Sequence, residues 1–168
     1  YSSVASVGDE PLQFKRKYPD ITVAVCEDRR YGMEKLQSNH TLILLDDAFQ
    51  HRRIIPKLAI LLFDYESLLG HPLVLPTGNF RDLMRQTKRA DIVVITKCPP
   101  HIPRAHRDRI TASIKKHSKA PIHYTRIAYG EPKQMQHGIP IAALYNRPIL
   151  LVTGIANPKP FRAYLESQ

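Results

Sequence analysis

The sequence predicts an α/β fold with a doubly wound, mostly parallel sheet, and two features of its patterning support this class. Short apolar runs rich in Val, Ile and Leu recur along the chain and are continuous rather than alternating, which is typical of strands buried on both faces. Helix-like segments separate several of these runs. A parallel sheet covered by helices produces this alternation.

Six of the apolar runs are predicted as strands. They cover residues 21–26, 41–45, 58–63, 91–96, 121–124 and 148–152. Ligands of open α/β sheets bind beyond the carboxyl ends of the strands. The first candidate site residues are therefore those that follow the runs, at positions 27–30, 46–53, 64, 96–97 and 153–157.

Three helices are predicted between or after the runs. Residues 28–39 place their apolar side chains on one side, and a later basic segment carries the i, i+4 pair Ile110 and Ile114. A third helix is predicted to begin at Asn157 and Pro158, because Asn can cap a helix and Pro suits its first position.

The chain is long enough for one domain with a substantial core. Residues 1–128 are predicted as a central α/β core, 129–147 as a connecting loop or hairpin, and 148–168 as the start of a C-terminal α/β subdomain. Residues 75–82 contain Pro and Gly and are predicted as an irregular loop.

The chain is strongly basic, with a formal net charge of +10. An anionic partner is expected, and the charge alone leaves nucleic acid, phosphorylated small molecules and acidic membrane lipid open. No apolar run approaches the roughly 18–20 residues of a transmembrane helix, and nothing resembles a secretion signal. The widely spaced Cys26 and Cys98 argue against a disulfide framework or a zinc site and fit a reducing cytosol.

The strongest local signal is the apolar run at 41–45 followed by Asp-Asp-Ala-Phe-Gln-His-Arg-Arg over residues 46–53. An apolar strand that ends in Asp is how nucleotide-hydrolysing folds hold Mg²⁺ beside phosphates. Successive strand residues point to opposite faces, so Asp46 and Asp47 are expected to do different jobs. The alternative is that both acids only end a strand or cap a turn. The hydrogen-bonding and basic residues that follow them argue against it.

This string resembles the DDGFQHRR signature of the tetraacyldisaccharide 4′-kinases, which phosphorylate a lipid A precursor. Three further segments match the same family in order. Residues 8–11 match its GDEP, residues 75–82 resemble its LPAGPLREP loop with the RAD at 89–91 after it, and residues 154–161 match its GIANPxxF. The resemblance implies a P-loop-kinase-like sheet, incomplete in this chain.

The resemblance also implies a reaction and its acids. In such kinases the γ-phosphate of ATP, bound with Mg²⁺, is transferred to the 4′-hydroxyl of an acylated disaccharide phosphate. Asp9 would be the catalytic carboxylate at the reacting centre, working with a histidine that the family carries further along its chain. Asp46 and Asp47 would be catalytic and would hold the metal. Asp82, in the place of the family's Glu, would be a third metal ligand.

The substrate-side residues implied by the resemblance are Glu10, Gln50, His51, Arg52 and Arg81. The expected partners are the lipid A precursor and an anionic membrane surface, with no nucleic acid. The expected location is the cytoplasmic face of the bacterial inner membrane. Two departures from the family pattern bear on the site. Ala48 replaces a Gly and is compatible only if that position does not need a positive φ, and the loop at 75–82 lacks two of the family's prolines.

A phosphate-binding loop of the form GxxxxGK[ST] is missing, since none of the seven glycines precedes a lysine. We therefore expect the chain to be a fragment, roughly the middle half of such a kinase, that transfers no phosphate alone. ATP-dependent 4′-phosphorylation by these residues alone would contradict this expectation. A fragment of this kind is expected to be soluble by itself.

Two readings from other classes stay open at this stage: a basic nucleic-acid-binding module, and a different P-loop nucleotide hydrolase that shares only the metal acids. No nucleic-acid stacking motif or helix-turn-helix pattern supports the first reading. Thr96 and Lys97 are similar to base-reading residues of nucleotide-binding folds, but a solvated lysine is the favoured interpretation. The histidines other than His51 are expected to have ordinary surface roles.

Overall fold

The computed structural model describes residues 7–70, 84–130 and 147–167. Within these ranges three strands form one parallel sheet in the order β1–β2–β3. The strands are β1 Ile60–Asp64, β2 Ile92–Thr96 and β3 Ile122–Tyr124. They lie at three of the six predicted positions, and their parallel pairing confirms the predicted α/β class.

The core of the described residues lies on the central strand β2. Val93 and Ile95 are fully buried there, with 0% of their surface exposed. Helix α4, Arg104–Lys115, connects β2 to β3 and buries Ile110 and Ile114 completely. Residues four apart lie on the same side of a helix, so the predicted pair forms the apolar side of α4, and this prediction is confirmed.

Four other α-helices lie within the described residues. They are α1 Asp9–Lys17, α2 Arg29–Leu36, α3 Tyr65–Leu69 and α5 Lys159–Glu166, and a 3-10 helix covers Met84–Arg89.

Side-chain oxygens accept backbone N–H groups at the starts of three of these helices. The Asp28 carboxylate accepts the backbone N–H groups of Arg30 and Tyr31 at the start of α2, and Asp64 caps α3 in the same way. Asn157 accepts the Lys159 N–H at 3.2 Å. The predicted starts of α2 and α5 are therefore confirmed to within one or two residues.

The strands predicted at 21–26, 41–45 and 148–152 are wrong, because the structure assigns no strand to these segments. A strand needs a neighbour with which to form a hydrogen-bond ladder, and no described residue supplies one. Several of their apolar side chains are exposed instead, with Leu44 84% and Leu150 88% exposed. The amino-acid composition of these segments identifies them as apolar, but it does not specify whether a partner strand lies beside them.

The predicted loop at 75–82, with Arg81 and Asp82, lies outside the described residues, as does most of the predicted connection at 129–147. The start of that connection contacts helix α5. The ring of Tyr129 stacks on Tyr164 with 4.7 Å between centroids, and the Tyr164 hydroxyl donates to the Gly130 carbonyl. The division into core, connection and subdomain stays a prediction. None of the helices in the described parts of the chain is long and apolar enough to cross a bilayer.

Candidate functional site

The segment 46–54, here called the signature segment, forms a series of tight turns. The His51 N–H donates to the Ala48 carbonyl at 2.9 Å, and the Ile54 N–H donates to the His51 carbonyl at 3.1 Å. The Asp47 N–H donates to the carboxylate of Asp46 at 2.9 Å. Asp47 has a φ of 46°, in the left-handed region that Asp tolerates better than most residues. The chain therefore turns at the two acids.

This geometry revises the expectation for the two acids. They were predicted to sit at a strand end and to point to opposite faces of a sheet, but 41–45 is not a strand, so strand alternation does not separate them. Both acids are exposed. The expectation for Ala48 is confirmed, because Asp47 and Lys97 are the non-glycine residues with positive φ in the described part of the chain. The position that the family fills with Gly needs no left-handed backbone here.

Arg89 and Phe49 hold the signature segment against the core. The Arg89 guanidinium lies 4.2 Å from the centroid of the Phe49 ring, and its Nη2 donates to the Phe49 carbonyl at 2.8 Å. The next two residues fix Arg89 in place. Ala90 is buried in the core, and the Asp91 carboxylate accepts the Ala59 N–H at 2.8 Å. The Arg-Ala-Asp motif thus ties the signature segment to the starts of β1 and β2.

This structural role of the Arg-Ala-Asp motif was not predicted from the sequence, where the motif served only as a family match. A basic residue directly before a buried Ala and a strand was the available signal. That signal does not identify the aromatic partner 40 residues earlier in the chain.

A cavity of about 710 Å³ lies between the start of α2 and the signature segment. Three of the predicted substrate-side residues, Gln50, His51 and Arg52, line it together. These three residues belong to the signature segment, whereas the opposite wall is formed by the start of α2 and the residues just before it. The remaining lining residues are Glu27, Asp28, Arg29, Arg30, Tyr31, Glu34, Arg53 and Ile54.

Two pairs of consecutive arginines dominate the polar lining of this cavity: Arg29 with Arg30 from α2, and Arg52 with Arg53 from the signature segment. Three carboxylates share the lining, and two of them have described partners. Asp28 caps α2, and Glu34 forms an ion pair with Arg30 at 3.3 Å. Arg29 donates to the carbonyl of Cys26. The cavity is therefore polar and rich in guanidinium groups from two distant parts of the sequence.

Asp9 and Glu10 lie elsewhere, in the first turn of α1, and both are exposed. Acidic side chains are favourable at a helix N-terminus because of the helix dipole, which accounts for their local placement. Neither residue lines the cavity. Arg81 and Asp82 are outside the described residues. Among the predicted site residues, Gln50–Arg52 therefore lie together at the cavity, and Asp46 and Asp47 precede them in the same segment.

The residues present fit the magnesium ion that the resemblance implies. Mg²⁺ in kinases is usually held by one or two carboxylates, substrate phosphates and waters. Asp46 and Asp47 supply two adjacent, exposed carboxylates. The hydrogen bond from the Asp47 N–H orients the carboxylate of Asp46. Within the described ranges no three His, Cys, Asp or Glu side chains converge on a point that could hold a metal ion.

The carboxyl edge of the sheet carries a second polar group. The Lys97 ammonium pairs with Asp64 at 2.8 Å, and the Thr96 hydroxyl donates to the Phe63 carbonyl. The lysine predicted to be only solvated therefore bridges the ends of β1 and β2.

A partly buried hydrogen bond lies close to this edge. The buried Tyr65 hydroxyl and His106 Nδ1 are 2.8 Å apart, so this histidine is more than a surface residue. Burial raises the pKa of Tyr65 and also that of the Cys98 thiol.

Comparison with known proteins agrees with the sequence motifs. Residues 1–168 match the profile of the tetraacyldisaccharide-1-P 4′-kinase family. Relatives named tetraacyldisaccharide 4′-kinase include one from Cytophaga hutchinsonii, 41% identical over 99% of this chain, and one from Flavobacterium johnsoniae, 39% identical over 99%. A third, from Bacteroides thetaiotaomicron, is 38% identical over 95%.

The chain spans about half the length of these relatives, covering 48%, 50% and 46% of them respectively. No solved structure matches it significantly. The profile match covers the whole chain and agrees with the four ordered motifs and with the parallel α/β sheet. This chain belongs to the tetraacyldisaccharide-1-P 4′-kinase family.

Proposed function

We propose that these residues form the acidic and acceptor-binding part of an ATP-dependent kinase that phosphorylates the 4′-hydroxyl of tetraacyldisaccharide 1-phosphate. The observation that carries the proposal is the signature segment, which Arg89 holds against the core beside an arginine-lined cavity. The family match supplies the reaction class. Neither a nucleic-acid-binding module nor an unrelated P-loop hydrolase accounts for both findings.

In the proposed reaction Asp9 accepts the proton of the 4′-hydroxyl. The oxygen then attacks the γ-phosphorus of ATP, the bond to the β-phosphate oxygen breaks, and ADP leaves. Asp46 and Asp47 would hold Mg²⁺, with Asp82 as a third ligand. When bound there, the ion would supply positive charge to the transferring phosphates. A turn that presents two carboxylates together suits this task.

The acceptor would lie in the cavity. Gln50 offers an amide donor and acceptor, and the His51 ring offers one of each in its neutral form, so both suit sugar hydroxyls. Arg52 offers a planar fork suited to phosphate oxygens. Glu10 and Arg81 are two further proposed acceptor contacts; Glu10 does not line the cavity, and Arg81 lies outside the described residues.

The acceptor carries acyl chains, so the proposed reaction takes place at a membrane. The net charge of +10 supports contact with an anionic bilayer. We propose the cytoplasmic face of the inner membrane, where ATP is present, with peripheral attachment.

The test uses the full-length kinase, meaning this chain within the polypeptide that also supplies the phosphate-binding loop. Asp9→Asn and Asp46→Asn are expected to lower kcat by roughly 10²–10⁴-fold while the thermal unfolding midpoint stays the same. Asp20→Asn, a change of another exposed acid, serves as the control and should keep its turnover. Unchanged turnover in Asp9→Asn would show that the base is assigned to the wrong residue.

A further inference from the structure

The positive charge of this chain is concentrated in one part of the fold. Residues 92–130 contain eight Lys and Arg residues but one acid, Asp108, so this stretch carries +7 of the net charge of +10. The stretch comprises β2, α4 and β3. The charge therefore belongs mainly to the surface of this unit, and the other residues of the chain are close to balanced.

Helix α4 carries most of this charge on its outer side. Ile110 and Ile114 are buried in the core, and a residue two positions away from a buried one points roughly to the opposite side of a helix. That opposite side carries the exposed Ala105 and Ala112. Exposed basic side chains border the two alanines and continue past the end of the helix: Arg104, Arg109, Lys115, Lys116 and Lys119. Small residues between long basic ones form a face that suits a flat anionic surface.

The fold leaves this charge available. Arg104 and Asp108 form an ion pair at 3.7 Å, but 95% and 69% of the two side chains are exposed, and exposed pairs contribute little. The Lys115 ammonium donates to two backbone carbonyls just after α4, which does not neutralise its charge. The three remaining side chains make no hydrogen bond or ion pair with a described residue: Arg109, Lys116 and Lys119.

The residue types on this face favour a lipid surface over single-stranded nucleic acid. Residues 101–119 contain no Phe, Tyr or Trp, whereas proteins that bind single strands stack the bases on aromatic side chains. Helices that insert into a bilayer interface also use large apolar side chains, and the exposed residues of α4 include none. A cluster of roughly four to eight Lys and Arg residues is typical of binding to anionic headgroups. The face is therefore suited to an electrostatic contact without insertion.

We propose that the outer face of α4, defined as Arg104, Arg109, Lys115, Lys116 and Lys119, is the surface through which the kinase contacts anionic lipid headgroups. The inference rests on the proposed function, which places the acceptor in a bilayer. Each Lys or Arg close to an anionic bilayer strengthens binding about fivefold. The outer face raises the amount of enzyme at the membrane and takes no part in the phosphoryl transfer.

The first experiment measures sedimentation of the full-length kinase with vesicles. The triple variant Arg109→Gln, Lys116→Gln and Lys119→Gln should bind vesicles that contain phosphatidylglycerol about a hundredfold more weakly than the parent at about 0.1 M salt. Binding to pure phosphatidylcholine vesicles should be the same for both proteins. At about 1 M salt, where the Debye length is about 3 Å, the difference should disappear. Equal binding of parent and variant to the anionic vesicles would overturn the proposal.

Two control variants separate the position of the charge from its amount. The combined change Arg16→Gln, Lys57→Gln and Lys88→Gln removes the same charge from exposed residues outside 92–130, and should bind within about threefold of the parent. The second control exchanges Lys and Arg at the three positions of the triple variant. It keeps the charge and should bind like the parent. A hundredfold loss in the first control would assign the binding to net charge and would overturn the outer face as the site.

Kinase activity distinguishes a failure of this proposal from a failure of the proposed function. With the acceptor in non-ionic mixed micelles, the triple variant should have the same turnover as the parent. With the acceptor in dilute phosphatidylglycerol vesicles, its rate should fall at least about tenfold. Equal rates in both systems would overturn the outer face and leave the proposed function intact. A parent enzyme that phosphorylates the acceptor in neither system would contradict the proposed function.

A nucleic-acid ligand is tested with the same proteins. A short RNA or DNA duplex should bind the parent more weakly than the anionic vesicles do. Tighter binding of the duplex that is lost in the triple variant would assign the outer face to nucleic acid and overturn the proposal. Release of the parent from vesicles by millimolar inorganic phosphate would assign these residues to a free phosphate instead.

A last measurement needs no variant. Acetic anhydride modifies accessible lysines, and mass spectrometry locates the modified residues. Phosphatidylglycerol vesicles should protect Lys116 and Lys119, whereas phosphatidylcholine vesicles should not. Lys57 and Lys88, which are exposed, should be modified equally in every sample. Modification of Lys116 and Lys119 that anionic vesicles leave unchanged would refute the contact even if the variants failed to fold.

Discussion

At the scale of single residues, the Arg89–Phe49 contact is the main determinant of where the signature segment lies. It combines a cation–π contact of 4.2 Å with a hydrogen bond to the Phe49 backbone at 2.8 Å. These two interactions depend on different atoms of Phe49. The ring can be removed by substitution while the carbonyl remains, so their contributions can be separated.

Replacing Phe49 by Leu should destabilise the 168-residue chain by about 1–2 kcal/mol, from lost aromatic contact and packing area. Arg89→Lys keeps the positive charge but loses the planar fork, and should cost a similar amount. The free energy of unfolding in urea measures both effects. Arg109→Lys on the exposed surface of α4 is the matched control, with an expected change below about 0.5 kcal/mol. No change in the Phe49 and Arg89 variants would mean that the segment does not depend on this contact.

The left-handed backbone of Asp47 gives a second prediction at this scale. Asp47→Asn and Asp47→Ala both remove the charge, but Asn tolerates a positive φ and Ala does not. The Ala variant should therefore be less stable than the Asn variant by roughly 1 kcal/mol, while both lose a similar amount of kinase activity. Equal unfolding free energies for the two variants would contradict the turn described at this position.

At the scale of elements, segments with similar apolar residues have opposite environments in the structure. Helix α4 and strand β2 bury apolar residues because each has a neighbour, whereas the runs at 41–45 and 148–152 leave most of theirs exposed. The difference does not lie in hydrophobicity. It lies in whether another described segment is within reach to cover the side chains.

This contrast is testable with matched truncations in the 168-residue chain. Ile110→Ala removes a side chain with 0% exposure and should cost about 2–5 kcal/mol, through lost burial and a cavity. Leu44→Ala removes a side chain with 84% exposure and should change stability by less than about 0.5 kcal/mol. Urea unfolding provides both values. A large loss in Leu44→Ala would show that residues 41–45 pack against another segment in solution.

At the scale of the whole molecule, the buried Tyr65 and Cys98 side chains near the sheet edge make the free energy of unfolding depend on pH in the alkaline range. Burial raises the pKa of both Tyr65 and Cys98. Each group is neutral when protonated, so the folded chain holds these protons more tightly than the unfolded chain does. The stabilisation is fully present below the ordinary pKa values, about 8.5 for Cys and about 10 for Tyr, and is lost as the pH rises through the raised values.

The free energy of unfolding should therefore decrease above about pH 8.5, as measured by urea titrations between pH 7 and 10.5. The combined change Tyr65→Phe and Cys98→Ala should flatten this decrease. Tyr31→Phe, at an exposed tyrosine, should leave it as in the parent chain. An unchanged slope in the double variant would assign the alkaline loss of stability to other groups.

The fold class, several helices and the family of this protein could be predicted from local sequence patterns. Continuous apolar runs and i, i+4 pairs predicted the parallel α/β class, α4 and the helix starts at Asp28 and Asn157, because these features depend on neighbours within a few residues. The ordered motifs identified the family for the same reason, since they are contiguous strings. The turn residues Gln50–Arg52 were recognised as a group because they are consecutive in the sequence.

Only the tertiary structure decided which apolar runs became strands, because pairing requires a neighbour in space that composition cannot specify. It also decided the partner of Arg89, the ion pair of Lys97 with Asp64, and the meeting of the two arginine pairs around one cavity. Each of these joins segments more than 20 residues apart in the printed sequence. Sequence periodicity describes one element at a time, whereas a site at the edge of a sheet depends on how the elements are brought together.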